Sequence, residues 1–273
     1  MARSKNAEAA AGMYRAQIEH HGYGAADAWK PIASLLLACG AWRSKAEGWI
    51  VSNDAVYFKE ANEFRAGSAA MRRGGQLGDF LSAELGFDRD ELCSHIGLYW
   101  ADERFRFAQP HNLVGHAFRS MLVEALTLFG DADISYEEEV DPKLEFRGHA
   151  FSTRSPNSRI DIVARRGPAT VALISSRWRF RHDRVDVVEE AMAYMTAAMR
   201  VNPHCQQYAW VGEFMPARLE KVLAHTAPNH PNPPLAACVH FEPRLITEGL
   251  QEREMKGQLK SLAWLIDQTS GWK

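Results

Sequence analysis

An acidic and a basic side chain stand at the open end of a sequence hairpin. Residues 159–177 predict a strand, a tight Gly-Pro turn and a second strand, with Asp161 near the start and Arg177 at the end. Because the two ends of a hairpin lie side by side, a carboxylate that can hold a divalent cation would lie next to a positive charge that can neutralise a phosphate. The spacing therefore predicts a site for metal-assisted hydrolysis of phosphodiester bonds.

Composition and charge are those of an ordinary globular protein. The chain has 273 residues, 46% of them hydrophobic and 24% charged, enough for one large domain or for a core with an elaborated N-terminal half. The formal net charge of -2 gives no overall basic field, so contact with DNA would need a local basic face. The four cysteines form no Cys-x-x-Cys pair, which argues against a zinc ribbon and favours a reducing, cytoplasmic location. The apolar run over residues 31–39 is too short to span a membrane.

Hydrophobic periodicity changes near residue 110. Residues 1–110 predict a mostly helical N-terminal region, and residues 111–273 predict an α/β core with a helix-strand-helix extension at its C-terminal end. This order is typical of a central mixed β-sheet flanked by helices, and three consecutive glutamates at 137–139 indicate an edge strand. The predicted elements are a helix over 116–129, a strand over 134–140, the hairpin, a helix over 183–200, a strand over 206–211, a helix over 216–225, a strand over 236–241 and a long closing helix over 243–268.

The order helix, three strands, helix and strand over residues 111–212 resembles the PD-(D/E)XK nuclease superfamily, and type II restriction endonucleases in particular. Asp161 matches the aspartate of the motif, although Ile160 stands where the family has proline. Ser175-Ser176-Arg177 matches the second half of the motif, with serine in place of the acid and arginine in place of lysine. The resemblance implies a restriction-endonuclease-like core, Mg²⁺ as the cofactor and double-stranded DNA as the substrate.

One branch of these enzymes, which cuts around a CCGG core, is similar in having serine or threonine in place of the acid and a glutamate on the next helix that supplies the missing carboxylate. Glu189 and Glu190 follow Arg177 by twelve and thirteen residues. The resemblance implies that one of them holds the metal together with Asp161 and the carbonyl near Ser176. A predicted apolar stripe on the helix favours Glu189, whereas the spacing in the family favours Glu190. The stripe consists of Val185, Val188, Met192, Met195 and Met199.

Glu124 and Asp161 each have a simpler interpretation. The CCGG branch has a helix similar to residues 115–124 whose glutamate lines the site, and the resemblance implies that Glu124 positions a water molecule there. On its own, Glu124 would be an ordinary surface glutamate. Asp161 alone would be an exposed hairpin residue, but polar residues follow the apolar run of the second strand directly, which favours a functional edge.

Arg177 is the main departure from the family, which has lysine at this position. Lysine is a compact charge that can give up a proton, whereas arginine is planar, bidentate and always protonated. Arg177 can therefore clamp a phosphate and stabilise developing charge, but it cannot act as a base. Two interpretations stay open: an enzyme that works with arginine, and a nuclease fold whose cleavage activity is weakened or lost.

Residues 177–184 form the most basic stretch, in which four arginines alternate with two aromatic residues. Arginine side chains suit phosphate oxygens and the guanine edge in the major groove. The CCGG branch reads DNA with an Arg-Asp/Glu-Arg element after the lysine, and residues 181–184 resemble it with one extra residue. Asp183 has an alternative role as the N-cap of the next helix. The candidate DNA-binding residues are Arg179, Arg181, Asp183, Arg184, Arg154 and Arg159.

Other enzyme classes find no support in the sequence. The histidines lack zinc-binding spacing, and neither a P-loop nor a Gly-x-Ser-x-Gly motif occurs, which disfavours zinc hydrolases, nucleotide hydrolases and serine esterases. We therefore expect an Mg²⁺-dependent type II endonuclease that acts as a homodimer, because cutting both strands of a symmetric site needs two active sites. The alternatives are a DNA-binding protein on a catalytically inactive nuclease core and a nuclease of repair or RNA processing.

Overall fold

The computed structural model describes the chain in segments. They are residues 5–34, 49–51, 56–58, 83–86, 110–151, 158–178, 180, 186–213, 216–227, 229–246 and 257–273. The helical N-terminal region is confirmed, with one pair of short strands that periodicity did not predict. Its elements are helix α1 (Lys5–His21), a 3₁₀ turn (Ala25–Asp27), a helical stretch over 29–34, and the antiparallel strands β1 (Trp49–Val51) and β2 (Val56–Phe58).

A six-stranded mixed sheet forms the centre of the fold. Its strands, in chain order and in spatial order, are β3 (Ile134–Val140), β4 (Ile160–Arg166), β5 (Ala169–Arg177), β6 (Gln206–Val211), β7 (Ala237–His240) and β8 (Leu259–Ser261). The first three strands pair antiparallel, and β5 to β8 pair parallel. The helices are α2 (Pro110–Phe129), α3 (Pro142–Glu145), α4 (Asp186–Val201), α5 (Pro216–Leu223) and α6 (Leu262–Gln268). The expected mixed sheet with flanking helices is confirmed, and the acidic strand β3 lies at its edge.

The hairpin of β4 and β5 follows directly from its sequence. A two-residue turn joins the strands, and Gly167 in it has φ +57°, a left-handed conformation that glycine adopts without strain. Both strands are rich in β-branched residues, and their centres are buried. Ile162 pairs with Ile174, so Asp161 and residues 175–177 lie together at the open end.

Helices α1 and α2 share one hydrophobic core with the sheet. Phe118 of α2 stacks on Trp210 of β6 with ring centroids 4.7 Å apart. α1 packs beside α2, where Tyr14 is fully buried and donates a hydrogen bond to Ala28 O at 2.9 Å. The N-terminal helix is therefore part of the support for the sheet.

The predicted closing helix over 243–268 is wrong. A 3₁₀ turn spans Pro243–Leu245, and strand β8 pairs with β7 before α6 begins. Ser261 caps α6, because its Oγ accepts a hydrogen bond from Trp264 N at 3.2 Å. Apolar residues at helical spacing on both sides of β8 suggested one continuous helix, whereas pairing at the sheet edge determines the structure there.

The remaining elements differ from prediction mainly at their ends. β3 and β6 have the predicted bounds, whereas α2 begins six residues earlier than expected. The start of the helix predicted over 183–200 lies outside the described residues, and α4 is described from Asp186. Among the helices of the described segments, none is long and apolar enough to cross a membrane.

Candidate functional site

Asp161 and Arg177 contact each other directly at the open end of the β4–β5 hairpin. Arg177 Nη1 donates a hydrogen bond to Asp161 Oδ2 at 2.6 Å, and Ser176 N donates to the same oxygen at 2.9 Å. The side chains of Asp161 and Arg177 are only 14% and 25% exposed, so water screens this ion pair in part. The structure thus brings together the acid and the cation that the hairpin register predicts.

The Arg177 guanidinium connects three oxygen atoms from different positions in the chain. Besides Asp161 Oδ2, its Nη1 contacts Ser176 O at 2.7 Å. Its Nη2 contacts the carboxylate of Glu190, which belongs to α4. The planar fork of arginine suits this arrangement, since its nitrogens donate in several directions at once. These are the three positions whose oxygens the family resemblance assigns to a metal ion.

Of the two candidate glutamates, Glu190 is the one that contacts Arg177. Its side chain is 20% exposed, whereas Glu189 is exposed on α4. The apolar stripe that favoured Glu189 is partly wrong, because Met192 and Met199 are 59% and 49% exposed. The helix packs mainly through alanine and valine residues and one buried tyrosine, which Glu190 precedes by one turn. The buried residues of α4 are Val187, Val188, Ala191, Tyr194, Ala197 and Ala198.

A second guanidinium, that of Arg119 on α2, also approaches Asp161. Arg119 Nη1 lies 3.5 Å from Asp161 Oδ1, and Nε donates to Glu138 Oε2 at 3.0 Å. Nη1 also contacts Glu139, and Nη2 lies 2.9 Å from His116 Nδ1. Burial alone would lower the pKa of Arg119, but the adjacent carboxylates, with that of Asp161 foremost, outweigh it and hold the pKa above the ordinary arginine value. Arg119 is therefore a permanent positive charge within the site.

Sequence reasoning missed Arg119 and the glutamates of β3 that it contacts. A signal was present, because Arg119 and Ser120 lie between the apolar residues Phe118 and Met121 in the helix, and both are buried. Ser120 Oγ donates to Glu138 Oε2 at 2.7 Å. Polar residues on the buried face of a helix require partners, which an acidic edge strand can supply.

Glu139 has a backbone conformation that residues other than glycine rarely adopt. Its φ is +58°, in the left-handed region. The pairing of β3 with β4 is interrupted at this residue, which lies opposite Asp161. Such a conformation costs about 1–3 kcal/mol and is found mainly at functional sites. The strained residue therefore lies beside the candidate metal ligand, and its carboxylate reaches Arg119.

Carboxylates outnumber guanidiniums in the described part of the cluster. Four carboxylates, from Asp161, Glu138, Glu139 and Glu190, contact two guanidiniums there. Oxygen atoms of carboxylates and main-chain carbonyls are the ligands that Mg²⁺ prefers, so the donor set fits this cation in chemistry. Within the described segments, no three His, Cys, Asp or Glu side chains form a group arranged to hold a metal ion. A site formed by Asp161, Glu190 and the Ser176 carbonyl has only two side chains of these types, fewer than the three that such a group contains.

Glu124 is buried against the N-terminal helix, so its interpretation as a surface glutamate is wrong. Arg15 Nε of α1 donates to Glu124 Oε1 at 2.7 Å, and the Glu124 side chain is 3% exposed. Glu124 lies one helical turn after Ser120, which contacts Glu138. The contact with Arg15 therefore joins α1 to the helix that carries Arg119.

Most candidate DNA-binding residues lie outside the described residues. Arg159 is described, and its Nη1 lies 3.1 Å from Asp141 Oδ2. Arg165 and Arg166, two further arginines of the hairpin, contact carboxylates of the chain itself. The candidates outside the described segments are Arg154, Arg179, Arg181, Asp183 and Arg184.

The two aromatic residues of the basic stretch pack into the fold. Phe180 is 6% exposed, and its main-chain N donates to Glu213 Oε2 at 3.0 Å. The Trp178 ring lies so close to Gly212 that a Cβ at that glycine would collide with it. These contacts anchor the chain on both sides of Arg179.

Comparison with protein-family models, with curated proteins and with solved structures finds no match for the chain. The resemblance to the PD-(D/E)XK superfamily therefore stays a prediction that rests on the motif and on the order of elements. Apart from the short turn α3, the structure has the order helix, three antiparallel strands, helix and parallel strand from α2 to β6.

Proposed function

We propose that the chain is an Mg²⁺-dependent endonuclease of the type II restriction class, which hydrolyses phosphodiester bonds in double-stranded DNA. The observation that supports it is the meeting of Asp161 Oδ2, Ser176 O and the Glu190 carboxylate around one point at the end of the β4–β5 hairpin. Bound there, Mg²⁺ would supply a Lewis acid for hydrolysis of the phosphodiester. The antiparallel strands followed by a parallel one, with α2 and α4 beside them, agree with the element order of the resembling nucleases.

Each residue of the cluster has a role in this proposal. Asp161 and Glu190 hold the cation with the Ser176 carbonyl, and Ser176 N keeps Asp161 in its orientation. Arg119, which is 6% exposed, fixes the carboxylates of β3 and shields Asp161 from them. Arg177 neutralises the phosphate through its bidentate fork and does not act as a base. Two copies of the chain would cut the two strands of a symmetric site, so we propose a homodimer.

A second candidate is a DNA-binding protein that does not cut. The observation that favours it is the position of the Arg177 guanidinium, which already neutralises the oxygens that a metal ion would need. In that case the nuclease core would serve only as a scaffold, since one fold supports many functions.

The test is digestion of unmethylated phage and plasmid DNA with Mg²⁺ or EDTA. Wild type would be compared with Asp161→Asn, which keeps the shape of the side chain and removes its charge. Asp133→Asn is the matched control, because Asp133 is 82% exposed and contacts Arg166 at the other end of the hairpin. We expect discrete fragments with Mg²⁺ from wild type and control, and none from Asp161→Asn or with EDTA.

Other results would redirect the assignment. DNA that is bound but left intact by wild type would replace the proposal with the second candidate. Metal-dependent digestion of RNA, or digestion of DNA without discrete fragments, would favour a nuclease of RNA processing or repair. Cutting by Asp161→Asn at the wild-type rate would remove Asp161 from the catalytic site.

A further inference from the structure

We propose that Arg177 competes with the divalent cation for its ligands, so that the site takes up metal only together with a DNA phosphate. This inference rests on the proposed function and concerns the regulation of the same site. It assigns to the arginine a role that goes beyond neutralising the phosphate.

The Arg177 guanidinium and a divalent cation need the same oxygens. Arg177 Nη1 contacts Asp161 Oδ2 and Ser176 O at 2.6 and 2.7 Å, and Nη2 contacts Glu190. A magnesium ion held by Asp161, Glu190 and the Ser176 carbonyl would need the oxygens that the guanidinium now contacts. Two positive groups in this half-buried cluster would also repel each other. The two occupants therefore exclude one another.

The Arg177 guanidinium cannot reduce its repulsion of the cation by losing a proton. A lysine next to a divalent cation can become neutral, because its pKa falls readily, whereas the arginine guanidinium keeps its charge. For the cation to bind, the Arg177 side chain must therefore move. Its side chain is 25% exposed at the end of β5, so part of it already faces solvent.

A phosphodiester of bound DNA gives the Arg177 guanidinium another anion to bind. Two phosphate oxygens match the arginine fork and form strong, charge-assisted hydrogen bonds. When Arg177 turns to the phosphate, Asp161 and Glu190 lose the charge that neutralised them, and a divalent cation can replace it. DNA and metal then bind cooperatively, and each raises the affinity of the other by the same factor.

Arg119 differs from Arg177 in this respect. Its side chain is 7% exposed and contacts Glu138, Glu139, Asp161 and His116 at once. It therefore stays in place as a fixed charge, and only Arg177 changes partners.

The test measures metal binding without relying on cleavage. Mn²⁺ binding to the full chain would be followed by the electron paramagnetic resonance signal of free Mn²⁺, first without DNA. We expect Arg177→Met and Arg177→Gln to bind Mn²⁺ at least about fivefold more tightly than wild type, the lower end of the usual range for coupled sites. The glutamine variant keeps a hydrogen-bonding group beside Asp161 in case the methionine variant fails to fold. Arg166→Met, which removes a guanidinium at the other end of the hairpin, should bind Mn²⁺ like wild type.

The second arm tests the coupling to DNA. Binding of a labelled phosphorothioate duplex, which resists hydrolysis, would be measured by fluorescence anisotropy with and without Mn²⁺. For wild type, Mn²⁺ should strengthen duplex binding by the same factor by which the duplex strengthens Mn²⁺ binding, after subtraction of Mn²⁺ bound by the duplex alone. The two Arg177 variants should lose this coupling.

The outcomes separate this inference from the proposed function. Equal or weaker Mn²⁺ binding by the Arg177 variants would overturn the competition and leave metal-dependent cleavage standing. A duplex that fails to strengthen Mn²⁺ binding by wild type would overturn the coupling. Absence of Mn²⁺ binding in every protein, with and without duplex, would overturn the inference and the proposed function together.

Discussion

The two ends of the β4–β5 hairpin carry similar clusters of ion pairs that differ in burial. Among the described residues, two arginines contact four carboxylates at each end. At the turn end the side chains of Asp133, Glu137, Asp131 and Glu145 are 82%, 42%, 22% and 9% exposed. At the open end those of Glu139, Glu190, Asp161 and Glu138 are 40%, 20%, 14% and 7% exposed. The turn-end pairs are Arg165 with Glu137 and Glu145, and Arg166 with Asp131 and Asp133.

The difference shows that a count of charges does not identify a site. The most exposed ion pair at the turn end, Arg166 with Asp133, is screened by solvent and salt and contributes little to stability. The carboxylates of the open end are on the whole more buried, so each depends on the guanidinium next to it. The strained residue Glu139 also lies at the open end. Charge, burial and strain coincide there, and that coincidence makes it the candidate site.

Removing one arginine from each end should give the largest difference in stability between the two clusters. Arg119→Met leaves buried carboxylates without their counter-charge, and we expect the free energy of unfolding to fall by about 3–5 kcal/mol. Arg166→Met removes ion pairs that are more open to solvent, so its unfolding midpoint should stay closer to that of wild type. Urea denaturation at neutral pH measures both. Equal losses in the two variants would contradict the difference in burial on which the comparison rests.

A second pair of variants distinguishes which of the two glutamates of α4 acts at the open end. Glu190→Gln removes a charge that contacts Arg177, whereas Glu189→Gln changes an exposed position on the same helix. With the proposed function, Glu190→Gln should lower the rate of DNA cleavage by about 100-fold or more, and Glu189→Gln should leave it nearly unchanged. Rates under single-turnover conditions with Mg²⁺ measure the effect. A larger loss of cleavage rate in Glu189→Gln than in Glu190→Gln would favour Glu189 as the residue of the site, as the apolar stripe on the helix predicted.

Local patterns predicted the parts of the site that lie close together in sequence. Alternation and a Gly-Pro turn were enough for the hairpin, and the hairpin register brings Asp161 next to Arg177. The strands β3 and β6 have their predicted bounds for the same reason. These contacts depend on the geometry of one or two adjacent elements, which sequence periodicity describes well.

Contacts between distant elements were not predicted. Arg119 is 42 residues from Asp161, and nothing in the spacing of α2 indicates that its guanidinium reaches β3 and β4. The orientation of α4 was missed because methionine ranks above alanine in hydrophobicity, although close packing of a helix on a sheet favours small residues. The closing helix was wrong because β8 gains its partner only when the sheet forms. Tertiary packing determines all three.

The turn end of the hairpin should resist moderate acid. The hydrogen bond from Arg166 holds the pKa of Asp131 below its usual value, and that from Arg165 does the same for Glu137. The stability from such carboxylates is complete above their ordinary pKa values near 4, and it is lost as the pH falls below them. The turn end therefore predicts no loss of stability between pH 7 and pH 5.

His240, at the end of β7, predicts a loss in that same window. It is fully buried, and burial lowers its pKa to about 3. The unfolded chain takes up a proton near pH 6.5, and the folded chain only near pH 3. The contribution of His240 to the free energy of unfolding is thus complete above pH 6.5. It falls by about 1.4 kcal/mol per pH unit as the pH drops toward 3.

Urea denaturation of wild type and His240→Gln between pH 7 and pH 5 measures this slope, which the variant should lack. His204→Gln, at an exposed position, should keep it. If wild type and His240→Gln lost stability equally between pH 7 and pH 5, the acid sensitivity would come from groups other than His240, and the buried imidazole would not account for the slope.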